Sequence, residues 1–184
     1  NIIQAILGAR EKVKLGVIFQ SRTYNDSKKI KSALETDKLG KLIIGDMYMK
    51  WLRPQSYYDS AKWRGTWEID GGGCLMNHGI HYIDLLQWFM GPIDTVTAQT
   101  STMLRKIEVE DVGMALIKFK NGAYGVIEAS TVVSPGYPVR IEINGEKGTI
   151  IYENGAITHW DMVPPFPLVI KGEERKEKKG KAFT

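Results

Sequence analysis

Five short apolar segments in the second half of the chain constrain its fold most strongly. Turn-forming pairs such as Asn121-Gly122 and Asn154-Gly155 separate them. They are predicted as strands at residues 93–102, 112–119, 123–131, 139–144 and 149–152. Apolar and polar residues alternate in 139–144, which is typical of a strand with one buried face. Strands joined by hairpins in this way predict an open, predominantly antiparallel sheet.

The first half of the chain is predicted to supply helices that pack on one face of this sheet. Helical spacing of apolar residues predicts helices at residues 2–11, 27–38 and 74–90. Gly40 and Gly91 are natural helix stops. Residues 46–52 alternate like a further strand, and residues 53–69 form a long loop rich in aromatic side chains. The predicted fold class is therefore α+β.

The apolar run at residues 13–19 is predicted to be a buried strand. One helix and one strand cannot bury both faces of that strand, so we expect its neighbours to lie outside this chain. Asn1 in place of an initiating Met favours the same view. Residues 1–19 are expected to be the remnant of a preceding domain, 20–163 a second domain, and 164–184 a charged, partly disordered tail.

Composition narrows the class of protein further. The 184 residues are 43% hydrophobic, enough for one globular core. We find no apolar run that could span a membrane and no signal peptide. The single cysteine, Cys74, excludes an intrachain disulfide and fits a reducing, cytoplasmic setting. Much of the net charge of +4 lies in the mixed-charge stretch 171–181, so neither nucleic acid nor membrane is expected as a partner.

The helix predicted at 74–90 carries the candidate catalytic groups. Asn77, His81, Asp84 and Trp88 follow one another at i+4, i+3 and i+4, so they are expected to share one face. Burying such polar groups without partners costs about 1–3 kcal/mol each, so a cleft beside them is expected. His81 suits removal of a hydroxyl proton, because histidine titrates near neutral pH.

Two alternatives stay open at this point. In the first alternative, His81 is a core histidine whose hydrogen bonds are satisfied, and Asn77 and Asp84 are capping or surface groups. His78, His81 and Asp84 are also spaced like metal ligands on a helix, although we predict no metal site. The triple glycine at 71–73 is not expected to hold phosphate, because Met76 occupies the last glycine position of the dinucleotide-binding pattern.

Several motifs resemble the C-terminal domain of the Gfo/Idh/MocA oxidoreductases. They are the segment GGGCLMNHGIHYIDLL at 71–86, Trp63-Arg64-Gly65, Glu110-Asp111 and Asn121-Gly122-Ala123. The resemblance implies that a dinucleotide-binding Rossmann domain precedes this chain and that the open sheet forms one wall of the active site. It further implies hydride transfer between NAD or NADP and a hydroxyl of a sugar, sugar nucleotide or polyol.

The resemblance also assigns roles to individual residues. His81 matches the family's catalytic histidine, and Asp84 matches its substrate-binding aspartate. Asn77 stands in the catalytic set where aspartate is common, which favours sugar-nucleotide or amino-sugar substrates. Gln20 and Arg22 resemble residues at the mouth of the substrate site.

Cofactor and partners follow from the same resemblance. Trp63 and Arg64 resemble cofactor-binding residues near the nicotinamide, while the missing preceding domain is expected to bind most of the NAD or NADP. The exposed face of the sheet is expected to form a homo-oligomer. A non-catalytic oligomerisation or sugar-sensing module is the alternative function.

Overall fold

The computed structural model describes residues 2–10 and 12–162, so the predicted tail at 164–184 lies outside the described residues. Its strands are β1 Leu42–Lys50, β2 Ile93–Ser101, β3 Val112–Phe119, β4 Tyr124–Ser130, β5 Arg140–Gly145, β6 Gly148–Glu153 and β7 Ala156–Met162. They form one sheet in the order β2-β3-β4-β1-β5-β6-β7. Only the β1–β4 pair among them is parallel. The predicted α+β fold with an open, mostly antiparallel sheet is confirmed.

The helices of the described residues are α1 Ile2–Ala9, α2 Asn25–Glu35, α3 Gln55–Asp59 and α4 Ile80–Met90. A 3₁₀ turn, Gln20–Thr23, precedes α2, and a π-helical segment, Cys74–Gly79, runs directly into α4. Helix α4 ends at Gly91, whose φ of 91° favours glycine. None of the described helices is both long and apolar enough to span a bilayer.

The core lies between the sheet and the helices α2 and α4. The Met90 side chain packs directly on Gly45 of β1, where a Cβ would meet it at 2.5 Å. Ile141 and Ile143 of β5 are fully buried, as their alternation with polar residues predicts. Burying one such aliphatic side chain stabilises the fold by about 1.5–3 kcal/mol. The opposite face of the sheet, the open face, carries no helix of the described residues.

Three details differ from the sequence prediction. Residues 13–19 form no strand, and Val17 and Ile18 are 73% and 82% exposed. The predicted buried strand is therefore wrong for this structure, because a strand needs a neighbour for its hydrogen bonds and no described strand lies beside it. Helix α3 lies inside the predicted loop 53–69, and strand β7 was not predicted.

Candidate active site

Glu110 holds the start of the π-helical segment in place. Its carboxylate accepts hydrogen bonds from the backbone N–H groups of Gly73 and Leu75, at 2.9 and 3.0 Å. Its main-chain oxygen accepts a third from Cys74, at 2.9 Å. A Cβ on Gly73 would lie 1.8 Å from that oxygen, so only glycine fits there. These N–H groups are occupied by Glu110 and cannot hold a phosphate.

His81 lies in the first turn of α4 and lines a cavity of about 210 Å³. The cavity is also lined by Gln20, Tyr24, Trp51, Tyr82 and Tyr152. The Nδ1 atom of His81 is buried and has no hydrogen-bond partner among the described residues. Leaving such an atom unpaired costs about 1–3 kcal/mol, so packing alone does not explain a histidine at this position. The structure thus brings His81 and Gln20 to one cavity.

Arg22 and Asp84 bind each other. The Nε and Nη2 atoms of Arg22 donate to the two carboxylate oxygens of Asp84, at 2.7 and 2.6 Å. Asp84 is buried, and its hydrogen bond raises the pKa of Arg22. The guanidinium also lies over the ring of Trp88, 5.5 Å from its centroid. This ion pair fastens the 3₁₀ turn that carries Gln20 to helix α4.

Asn77 has a different partner from the rest of the predicted helix face. Its amide donates to Asp70 at 2.6 Å, and the other carboxylate oxygen of Asp70 accepts the N–H of Gly65 at 2.8 Å. Asn77 belongs to the π-helical segment, whose turns are wider than those of α4. The step from Asn77 to His81 therefore does not follow regular α-helical spacing. No pattern in the sequence predicts this Asn77–Asp70 hydrogen bond.

Trp63 and Arg64 lie together in an arginine–aromatic cluster. The Cζ atom of Arg64 is 4.5 Å from the centroid of the Trp63 ring and 4.2 Å from that of Tyr57. Its Nη1 atom donates to the Tyr57 hydroxyl. Arg53 lies over Tyr57 as well, at 5.1 Å. The sequence prediction missed Arg53 and Tyr57, although the aromatic density of the loop 53–69 pointed to this region.

His78 is buried beside this cluster. Its ring centroid is 5.8 Å from those of Trp51 and Tyr57. Burial, together with the nearby charge of Arg53, lowers the pKa of His78 to about 4, so the ring is neutral at pH 7. Within the part of the chain that the structure describes, no three potential ligands are grouped to hold a metal ion.

Among the described residues, the groups suited to contact a nicotinamide cofactor are one aromatic ring and one cation. Trp63 is 40% exposed, and the adjacent Arg64 offers a cation. The glycines at 71–73 follow a loop, whereas a dinucleotide site needs a glycine-rich turn between a strand and a helix.

Comparison with known proteins identifies the family. Residues 27–151 match the profile of the GFO/IDH/MocA C-terminal domain. The chain belongs to the Gfo/Idh/MocA family. The matched region contains the pair His81 and Asp84 together with Asn77, Trp63 and Arg64, while Gln20 and Arg22 lie just before it.

Relatives in this family include proteins with named activities. Myo-inositol 2-dehydrogenase of Thermotoga maritima is 31% identical over 141 residues, which are 74% of this chain and 40% of that protein. The WlbA dehydrogenase of Bordetella pertussis, solved with NADH and UDP-GlcNAcA, is 37% identical with a TM-score of 0.82. That match covers 88% of this chain and 52% of WlbA.

A levoglucosan dehydrogenase solved with NADH and levoglucosan is 26% identical, with a TM-score of 0.68 over 74% of this chain and 39% of its own. The chain thus spans about half or less of the length of each of these three relatives.

Proposed function

We propose that this chain is the C-terminal, substrate-binding domain of an NAD(P)-dependent oxidoreductase. The enzyme transfers hydride between the cofactor and a hydroxyl of a sugar, sugar nucleotide or polyol. The observation that carries the proposal is the position of the His81 side chain at the wall of a cavity. The activities named for the inositol, levoglucosan and WlbA dehydrogenases support it.

His81 is the proposed general acid and base. It accepts the proton of the substrate hydroxyl as hydride leaves the carbon that bears this hydroxyl. In the reverse direction it returns the proton to the oxygen. The nicotinamide ring, when bound, accepts or donates the hydride. Trp63 and Arg64 are proposed to border the nicotinamide, since they form the exposed edge of the cluster next to this site.

Gln20 and the Arg22–Asp84 pair are proposed to form the substrate side of the cavity. Gln20 lines the cavity itself. The Arg22–Asp84 ion pair holds the 3₁₀ turn that carries Gln20. Both residues remain predicted to contact substrate hydroxyls. Asn77 is proposed to orient neighbouring groups of the site, because an amide neither carries charge nor takes up a proton at neutral pH.

The substrate class we favour is a sugar nucleotide. Asn77 replaces the aspartate common in the family, and WlbA, at 37% identity, was solved with UDP-GlcNAcA. A homo-oligomer formed through the open face is part of the same proposal.

The test is NADH formation by the full-length protein that contains this chain. We expect turnover with one of UDP-GlcNAcA, myo-inositol or levoglucosan, and His81→Ala should lower kcat by about 10²–10⁴-fold. His159→Ala, which changes an exposed histidine of β7, is the matched control and should leave kcat unchanged. An unchanged kcat in His81→Ala removes His81 from the mechanism. Sugar binding without NADH formation supports the non-catalytic alternative instead.

A further inference from the structure

Arg53 and Arg64 meet at the ring of Tyr57, next to the cavity of His81. Their Cζ atoms lie 5.1 and 4.2 Å from the centroid of that ring. Arg53 also lies over Trp51, at 5.1 Å, and Trp51 lines the His81 cavity. Neither guanidinium lines that cavity itself, but Trp51 connects Arg53 to it. The inference rests on the proposed function, which places the substrate in this cavity.

Neither guanidinium has a carboxylate partner among the described residues. The ion pairs of that part of the chain involve other cations. The Nε atoms of Arg53 and Arg64 are buried without a hydrogen-bond partner there. Arg22 shows the contrast, because it also stacks on an aromatic ring while its N–H groups bind Asp84. Stacking occupies the face of a guanidinium and leaves its N–H edge free for a planar acceptor.

The groups around the pair compensate only part of its charge. Asp70 is the nearby acid that acts on His78, and both of its oxygens already accept hydrogen bonds, from Gly65 and Asn77. His78 itself is neutral at pH 7 because burial lowers its pKa to about 4. Two adjacent cations beside a single carboxylate that pairs with neither of them favour the binding of an anion.

The pair is also held in place before any ligand arrives. The N–H of Arg53 donates to the main-chain oxygen of Thr131 at 2.7 Å, which extends the pairing of β1 beyond its end. Arg64 is fixed by its side-chain hydrogen bond to Tyr57. The guanidinium groups, which are held by stacking on Tyr57, lose little conformational entropy on binding.

We propose that Arg53 and Arg64 bind an anionic group of the substrate, a carboxylate or a phosphate, through the Nη groups of Arg53 and the Nη2 group of Arg64, because their Nε atoms are buried and Nη1 of Arg64 binds Tyr57. Arginine suits such groups because two parallel N–H donors match two oxygens. The site then selects charged sugars, such as uronates or sugar nucleotides, over neutral ones. It is separate in role from His81, which acts on the hydroxyl that is oxidised.

Calorimetry on the full-length protein tests the proposal with UDP-glucuronate, UDP, glucuronate, glucose and NADH as probes. Arg53→Gln and Arg64→Gln should each raise the Kd of at least one of the three anionic sugar or nucleotide probes about tenfold or more. The Kd of glucose should not change in either variant, and the Kd of NADH should not change in Arg53→Gln. Arg53→Lys keeps the charge and loses the fork, so we expect a smaller loss. Comparison of UDP with glucuronate tells whether phosphate or carboxylate is bound.

Arg140→Gln is the matched control. It removes the same charge from the open face of the sheet, where Arg140 pairs with Glu142, and it should change none of these Kd values. Unchanged Kd values for all anionic probes in both arginine variants overturn the proposal. A rise confined to NADH in Arg53→Gln also overturns it, since the anion is then the cofactor diphosphate. Because these measurements need no turnover, their failure is distinct from failure to form NADH.

Discussion

His78 makes the stability of the domain depend on pH. Its pKa of about 4 in the folded state lies below the ordinary 6.5, so the unfolded chain binds more protons between these values. Stability is therefore complete above pH 6.5 and falls as the pH drops towards 4, by at most about 3 kcal/mol. Urea unfolding across this range should show the slope, and His78→Gln should flatten it. His159→Gln should keep it, and an equal slope in both variants contradicts the assignment.

Arg22 and Asp84 should behave as a coupled pair in unfolding experiments. Arg22→Met leaves the buried Asp84 carboxylate without its partner, so we expect a loss of about 1–3 kcal/mol in the free energy of unfolding. The double variant Arg22→Met/Asp84→Leu should recover part of it. Lys29→Met, which breaks an exposed ion pair with Asp26, should lose less than about 1 kcal/mol. Additive effects of the two single changes show that the pair is uncoupled.

Among the elements, the π-helical segment depends on a carboxylate far away in the sequence. Glu110→Gln replaces one acceptor oxygen by an N–H donor that faces a backbone N–H, so we expect a loss of about 1–3 kcal/mol. Hydrogen exchange should quicken at the amides of Gly73 and Leu75 before it quickens at those of α4. Glu68→Gln, an exposed glutamate in the adjacent loop, is the control. Unaltered exchange at both amides contradicts the role of Glu110.

The elements that the sequence predicts well are those with a regular period. Strand β5 follows from alternation, and α4 follows from apolar spacing and its closing Gly91. The position of β1 between β4 and β5 does not follow, because it depends on pairing between residues distant in sequence. Strand β7 follows the turn signal at Asn154-Gly155, but its mostly exposed residues show no regular apolar alternation that would predict a strand.

The candidate site also has residues that the sequence predicts and contacts that it does not. His81 and Asp84 are recognisable because they belong to a fixed motif on a helix. The contacts of Asp70 with Asn77, and of Arg53 with Tyr57, depend on the path of an irregular loop. Irregular backbone has no periodicity from which neighbours can be read. The ion pair of Arg22 with Asp84 also joins a turn to a helix by a contact that spacing does not encode.

For the whole molecule, the single sheet separates two surfaces. The His81 cavity and the arginine pair lie with the helices, while the open face carries Met114 and Leu116, which are 52% and 56% exposed. Their pairing partners on β4 are Glu128 and Val126, so apolar and charged groups are mixed on this surface. Association through the open face would leave the site accessible.

We expect the protein to self-associate through this open face. An isologous dimer places each substituted residue in the interface twice, so Leu116→Glu should raise the dissociation constant at least about tenfold. Met76→Glu changes a residue that is 55% exposed on the helix side and should leave association unchanged. Sedimentation velocity over a range of concentrations measures both. A wild-type monomer at the highest concentration, or equal effects of the two changes, contradicts association through the open face.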